Sequence, residues 1–244
     1  MSLPVVLVHG LRTSRTMWRA QVAALEAYGH PALAIDLPGH GARRGERFTL
    51  AGAVDAVAAG VDAVGGRALV VGLSLGGYTA IAHAARHPEQ VAGLLAASCS
   101  TRPLPALVGG WSVLARGIAR LPDAGAGLNQ QMVDRVLTAE AARDVAAGGF
   151  ALDVVDDVLR EMRAADPVAD LARVEAPVWL VNGRFDHFRG EERRFLRACR
   201  DGRLVIVPGA THLVSLTAPV GFTRVLLDVV DAVEAASATA PPAR

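Results

Sequence analysis

The sequence predicts an α/β fold: a mostly parallel sheet of about six strands, helices on both faces, and a helical cap inserted over one end. Three observations carry this. Short apolar runs alternate along the chain with longer segments of helical spacing. The short runs lack the polar–apolar alternation of a half-exposed strand, so they read as strands buried on both faces, which is the habit of a parallel sheet. Between Ser100 and about Asp170 the strand signal stops and helix-like segments take over.

The elements follow in order. Pro4–Val8 is a short β-rich run ending at His9-Gly10. Met17–Tyr28 has helical spacing at Trp18, Val22 and Leu25 and stops at Gly29. Ala32–Leu37 is the next strand, and Leu50–Val64 a helix with its apolar stripe at Val54, Val57, Val61 and Val64. Ala68–Val71 is a strand, Leu75–His87 a helix closed by Pro88, and Val91–Ala97 another buried strand. The strand-free stretch carries Pro103, Pro105, Gly109, Gly110 and Pro122, then helical patterns near Gln130–Ala147 and Asp153–Ala165. The strand–helix rhythm resumes with Val178–Val181, a helix over Glu191–Arg200, a strand at Leu204–Val207 and a last helix over Pro219–Ala236. Residues 1–99 and 171–236 then form the core, 100–170 the helical cap, and 237–244, small and proline-containing, a disordered tail.

Composition narrows the function classes. At 244 residues and 52% apolar content the chain can bury one large core. Its net charge of +1 implies no nucleic-acid or anionic-membrane partner, and the partner expected is a small-molecule substrate. Nothing in the sequence indicates an oligomeric state. Cys99 and Cys199 are too far apart for a metal motif and read as free thiols in a reducing compartment. No basic leader with a cleavage site is visible, and no apolar stretch is long enough to span a bilayer, so a cytoplasmic location is expected. Asp153, Asp156 and Asp157 cluster without a histidine or cysteine, so they read as a solvated acidic face. No metal or organic cofactor is expected.

The chemistry starts at Gly72-Leu73-Ser74-Leu75-Gly76, directly behind the strand Ala68–Val71 and opening a helix. A Gly-x-Ser-x-Gly in that setting is a nucleophile elbow. The reversal from strand to helix strains the serine backbone and lifts its hydroxyl clear of the sheet, at the positive end of a helix dipole. A serine hydroxyl is a poor nucleophile near neutral pH and needs a base, itself oriented by a carboxylate. Of seven histidines, His212 is the best placed, in the loop after Leu204–Val207. Asp186 follows the strand Val178–Val181 in Asn182-Gly183-Arg184-Phe185-Asp186. Each of Ser74, Asp186 and His212 stands after a strand's carboxyl end, in the chain order of an α/β-hydrolase triad. The oxyanion is expected to be held by the backbone N–H groups of Leu75 and Leu11, the latter in the loop after the first strand. His9 is expected to shape that loop through packing and hydrogen bonds, and His187, adjacent to Asp186, to stand at the pocket rim.

The chain resembles the α/β-hydrolase superfamily, in the form of a small serine esterase or lactonase with a helical cap. The resemblance rests on Val8-His9-Gly10, Asp36-Leu37-Pro38-Gly39-His40-Gly41, Gly72-Leu73-Ser74-Leu75-Gly76-Gly77, Gly183-Arg184-Phe185-Asp186 and Gly209-Ala210-Thr211-His212. It implies Ser74 as nucleophile, His212 as base and acid, Asp186 as orienting carboxylate, and Leu11 and Leu75 as oxyanion donors. It gives Asp36 and His40 a structural turn and no catalytic role. Against the larger members, the first antiparallel strands are expected to be missing, with the active site intact. A serine nucleophile and the lack of cap tyrosines argue against epoxide hydrolases and haloalkane dehalogenases.

The expected function is cleavage of a small, largely apolar carboxylic ester, thioester or lactone through an acyl-enzyme. The alternatives are a carbon–carbon bond hydrolase of a ring-fission diketone, or a non-hydrolytic cyclase or ligand receptor on the same fold. Within the cap, Met132, Trp111, Phe150 and Met162 are the candidates for the substrate pocket, Met132 above the others because methionine adapts to irregular ligands.

Overall fold

A computed structural model describes residues 2–103, 109–110, 117–118, 120–121, 123 and 125–239. Its sheet has six strands, all parallel, in the order β2-β1-β3-β4-β5-β6. They are β1 (Val5–Val8), β2 (Ala32–Ile35), β3 (Ala68–Leu73), β4 (Val91–Ala97), β5 (Val178–Gly183) and β6 (Gly202–Val207). Every residue of β1, β3, β4 and β5 is buried, whereas the edge strands β2 and β6 are partly exposed. That is why the four central runs are continuously apolar.

Side chains two apart along a strand share a face, and this splits the core into two layers. Val6, Val8 and Val70 pack with Val57 and Val61 of α2 (Leu50–Ala63) and Ile81 of α3 (Leu75–Arg86). Val5, Leu7, Leu69 and Val71 pack with Leu25 of α1 (Arg19–Ala27) and with Phe222 and Leu226 of the final helix. Burying two such layers supplies the main drive to fold.

The segment between β4 and β5 carries α4 (Ala126–Val136), α5 (Ala139–Ala147), α6 (Val155–Met162) and α7 (Pro167–Leu171). The pattern near 130–147 is two helices: the chain breaks at Leu137-Thr138, where the Thr138 hydroxyl accepts from the Ala141 N–H at 3.3 Å and starts a new one. Hydrogen bonds and ion pairs fasten this segment to the sheet domain. Thr16 Oγ1 donates to the Asp144 carbonyl, Arg19 pairs with Asp144, the Ala151 N–H donates to the Arg12 carbonyl, and the Leu50 N–H donates to Glu161. Helix α7 spans the expected boundary at 170/171 and packs on α3, with Arg86 3.6 Å from Asp170.

After β5 come α8 (Glu192–Ala198), α9 (Val214–Thr217) and α10 (Pro219–Thr239). The last helix runs three residues past its expected end at Ala236, so the tail expected to be disordered from Ser237 is helical as far as Thr239. Residues 240–244 lie outside the described residues. Among the described residues no helix is long and apolar enough to cross a membrane.

Candidate active site

The parallel registers bring Val8, Gly72, Ala97, Gly183 and Val207 to the same carboxyl edge of the sheet. Strand order reverses between β1 and β3, with β2 lying to one side of β1 and the later strands to the other. Loops diverge at such a point and leave a crevice.

Ser74 sits at the head of α3 with φ 55° and ψ −115°, a region L-residues rarely occupy. Its N–H donates to the Ala97 carbonyl at 2.8 Å, and its own carbonyl accepts from the Tyr78 N–H at 3.0 Å. The flanking glycines are required by close approach. A Cβ at Gly72 would overlap the backbone of Gly76, and one at Gly76 would overlap the Val8 carbonyl and lie 2.6 Å from that of His9. The elbow can form only where strand and helix backbones touch.

Two further loops bring up the partners. The Arg184 N–H donates to Val207 O at 3.0 Å and the Phe185 N–H to Ala210 O at 2.9 Å, which ties the loop after β5 to the loop after β6. As a result His212 Nδ1 lies 3.0 Å from Asp186 Oδ1, and His212 Nε2 lies 3.0 Å from Ser74 Oγ. The three residues are 138 and 26 positions apart in the chain and form one hydrogen-bonded row. The Asp186 side chain is fully buried, that of His212 20% exposed. Burial pushes the Asp186 carboxyl up, but the hydrogen bond and charge of His212 and the Phe188 N–H outweigh it and hold the acid below the usual carboxylate range. Asp186 therefore stays ionised near neutral pH, able to fix His212 with Nδ1 protonated and Nε2 facing the serine.

The N–H groups of Leu11 and Leu75 have no acceptor among the described residues, and both residues line a cavity of about 250 Å³ that contains Ser74 and His212. The loop carrying Leu11 is held by His9. The buried His9 ring lies 2.8 Å from the Gly10 carbonyl through Nδ1, and its Nε2 is 3.0 Å from the Leu37 N–H. Asp36 accepts from the Arg15 N–H at 2.7 Å and the Ala42 N–H at 3.0 Å, a turn-building role. His40 packs 4.9 Å from His9, centroid to centroid.

The rest of the cavity wall is mostly apolar. Val155, Val158, Leu159 and Met162 of α6 face it, opposite Leu73 and Leu213. Met162 is among the residues that line this cavity. Met132 and Phe150, the other described residues expected at the pocket, are not among the described residues lining this cavity. Met132 is 57% exposed on α4, because its helix turns that side to solvent, and Phe150 packs against the layer that holds Leu25. Trp111 lies outside the described residues. His187 stands at the rim, its ring 4.8 Å from that of His212. Burial, then the charge of His212, lowers its pKa and favours the neutral ring. Arg184 is exposed.

Tyr78 and Arg12 are two of the lining residues that were not singled out from sequence as pocket residues. Tyr78 is one turn beyond Ser74, and its hydroxyl donates to the Thr101 carbonyl at 2.6 Å. Its spacing from Ser74 was the available signal. Arg12 is next to Leu11, and no sequence pattern marked it.

Groups that could hold a metal ion are few among the described residues. Asp186, His187 and His212 offer ligand atoms within 4.8 Å of one another, but Asp186 and His212 are already engaged with each other. His30, Asp231 and Glu234 form a second group, with Glu234 also accepting from the Leu3 N–H at 2.7 Å.

Comparison with known proteins agrees with this architecture. A family model described as the alpha/beta hydrolase family matches residues 5–225. A pimeloyl-[acyl-carrier protein] methyl ester esterase of Neisseria meningitidis serogroup C is 29% identical, with 94% of each chain covered. Another of that name, from serogroup A, is 30% identical over 94% of this chain and 77% of its own. Among solved structures, a thermophilic esterase from Thermogutta terrifontis superposes with a TM-score of 0.78 at 25% identity, covering 96% of this chain and 91% of that one. The enol-lactonase from Burkholderia xenovorans gives a TM-score of 0.76 at 24% identity over 95% and 92%, a likeness of fold.

Proposed function

The chain belongs to the alpha/beta hydrolase family, and within it we propose a serine hydrolase that cleaves a small, largely apolar carboxylic ester, thioester or lactone through an acyl-enzyme. The observation that carries this reading is the row Asp186–His212–Ser74, with both contacts at 3.0 Å, at the base of a mostly apolar cavity. The methyl ester esterase names of the meningococcal relatives support ester cleavage over carbon–carbon cleavage.

In this reading His212 Nε2 takes the hydroxyl proton as Ser74 Oγ attacks the substrate carbonyl carbon. The carbonyl electron pair moves onto oxygen, which accepts hydrogen bonds from the Leu11 and Leu75 N–H groups. Asp186 keeps the ring in place and stabilises its transient positive charge. The intermediate collapses, the bond to the leaving oxygen or sulfur breaks, and that atom takes the proton from His212. Water then attacks the acyl-enzyme, giving its proton to His212. The second collapse frees the acid and returns the proton to Ser74. The helices of 100–170 act as the cap, with α6 shaping the acyl site.

A fluorophosphonate probe is expected to label Ser74, with labelling abolished in Ser74→Ala. p-Nitrophenyl esters of rising chain length are then expected to turn over, short acyl groups best in so small a cavity. Absence of labelling, or labelling that survives the substitution, would sink the reading. Turnover of a vinylogous diketone with no ester turned over would move the chain to carbon–carbon hydrolysis.

A further inference from the structure

Arg12, in the lining of the cavity above Ser74, takes no part in the acyl-transfer steps. It is half-buried, yet its guanidinium makes no hydrogen bond or ion pair among the described residues. Every other arginine placed near the site has a partner or is exposed: Arg15 pairs with Asp36, Arg44 with Asp153, and Arg189 with Glu192. Among the described residues no aspartate or glutamate lines the cavity. Burial lowers the Arg12 pKa with no acidic neighbour to counter it. A guanidinium stays charged regardless, and a half-buried charge without a counter-charge is unfavourable.

The backbone adds a second, independent observation. Arg12 has φ 67°, one of three non-glycine residues with a positive φ among the described residues. The left-handed turn aims its carbonyl at the Ala151 N–H, 3.2 Å away. Glycine would make that turn without a steric penalty. The carbonyl gains that hydrogen bond, but among the described residues no side chain pairs with the Arg12 guanidinium.

We propose that Arg12 is a substrate-binding residue, and that the substrate of this hydrolase carries a free carboxylate on the part held in the cavity, as in a monoester of a short dicarboxylic acid. The inference rests on the serine hydrolase reading of the same site. A carboxylate fits better than a phosphate dianion, because the cavity offers one fixed positive charge and the nearby His187 favours its neutral form. The planar guanidinium can pair both carboxylate oxygens at once. The apolar walls then accept the methylene chain between that carboxylate and the scissile carbonyl.

The test compares mono-p-nitrophenyl glutarate with p-nitrophenyl valerate, whose acyl chains differ mainly in carboxylate against methyl. The wild type is expected to favour the glutarate ester in kcat/KM. In Arg12→Gln and Arg12→Gly that preference is expected to fall at least tenfold, mainly through KM, and Arg12→Lys to restore part of it. The glycine variant guards against misfolding, since it suits the backbone at this position. Glutarate is expected to inhibit the wild type competitively and to lose at least tenfold in potency on both neutral variants. Glutarate preference that is absent in the wild type, or unchanged in both variants, overturns the proposal while leaving valerate turnover and Ser74 labelling as evidence for the hydrolase. Inhibition by inorganic phosphate but not by glutarate overturns the carboxylate assignment. Failure of fluorophosphonate labelling removes both readings together.

Discussion

Lowering the pH from 7.5 to 5.0 should destabilise this protein through His9, and the size of the effect follows from its surroundings. The ring is fully buried, with Nδ1 placed to donate to the Gly10 carbonyl and Nε2 placed to accept from the Leu37 N–H. A neutral imidazole can fill both roles, whereas an imidazolium has no acceptor for Leu37. Burial first, then the charge of His40, lowers the pKa from the ordinary 6.5 to about 3, against smaller opposing effects of Gly10 and Asp36. Between those values the unfolded chain holds a proton that the native chain does not. Stability therefore rises with pH across this window, is fully present above about 6.5, and is lost as the pH falls. At pH 5.0 the unfolded ring is mostly protonated and the native ring is not, which costs about 2 kcal/mol relative to pH 7.5. The figure at pH 5.0 depends on the unfolded value, since the native ring is neutral at both pH values.

His40 and His83 are also lowered by burial and add to the wild-type loss. The variant His9→Gln isolates the term, because a glutamine amide can donate and accept but does not titrate. Urea unfolding at the two pH values is expected to show a drop in stability smaller by about 2 kcal/mol in the variant than in the wild type. Equal drops in the two proteins would refute the argument. The native ring stays neutral through this window, so the loop that carries Leu11 is expected to keep its place in the folded protein at pH 5.0.

Three more outcomes are expected. Ser74→Gly removes an L-residue from φ 55°, ψ −115° and should abolish turnover while raising stability by about 1 kcal/mol in urea unfolding; no gain would mean the elbow holds no strain. Asp186→Asn should lower kcat on p-nitrophenyl esters by roughly 10⁴ with the fold intact by circular dichroism, and a loss under tenfold would remove Asp186 from the row. Met162→Ala, at a buried residue that abuts the cavity, should cost about 2 kcal/mol and shift the preferred p-nitrophenyl ester to a longer acyl chain; an unchanged chain-length profile would place Met162 outside the acyl site.

All six strands were legible because each is a short, mainly apolar run closed by glycine, proline or a polar loop, and in the four central strands burial on both faces leaves that mark locally. The elbow was legible for a similar reason: Gly72 and Gly76 are demanded by backbone contacts around one turn. The split at Leu137-Thr138 was less visible, since apolar spacing continues through it and the break depends on one capping hydroxyl. Which side chains of the 100–170 segment line the cavity is not written locally. Met132 and Met162 look alike as methionines in helical segments, yet only Met162 faces the cavity.

Local sequence alone thus determined the alternation of strands and helices, the serine turn, and which histidine and aspartate follow strand ends. Those features are set by interactions within a few residues, where spacing and side-chain type are sufficient. Tertiary structure decided which side of α6 faces the cavity, how the loops after β5 and β6 zip together to bring Asp186 to His212, and that Arg12, a residue of the cavity lining, has no counter-charge among the described residues. Each of these depends on groups far apart in the chain, and the solvation of a charge is a property of everything packed around it.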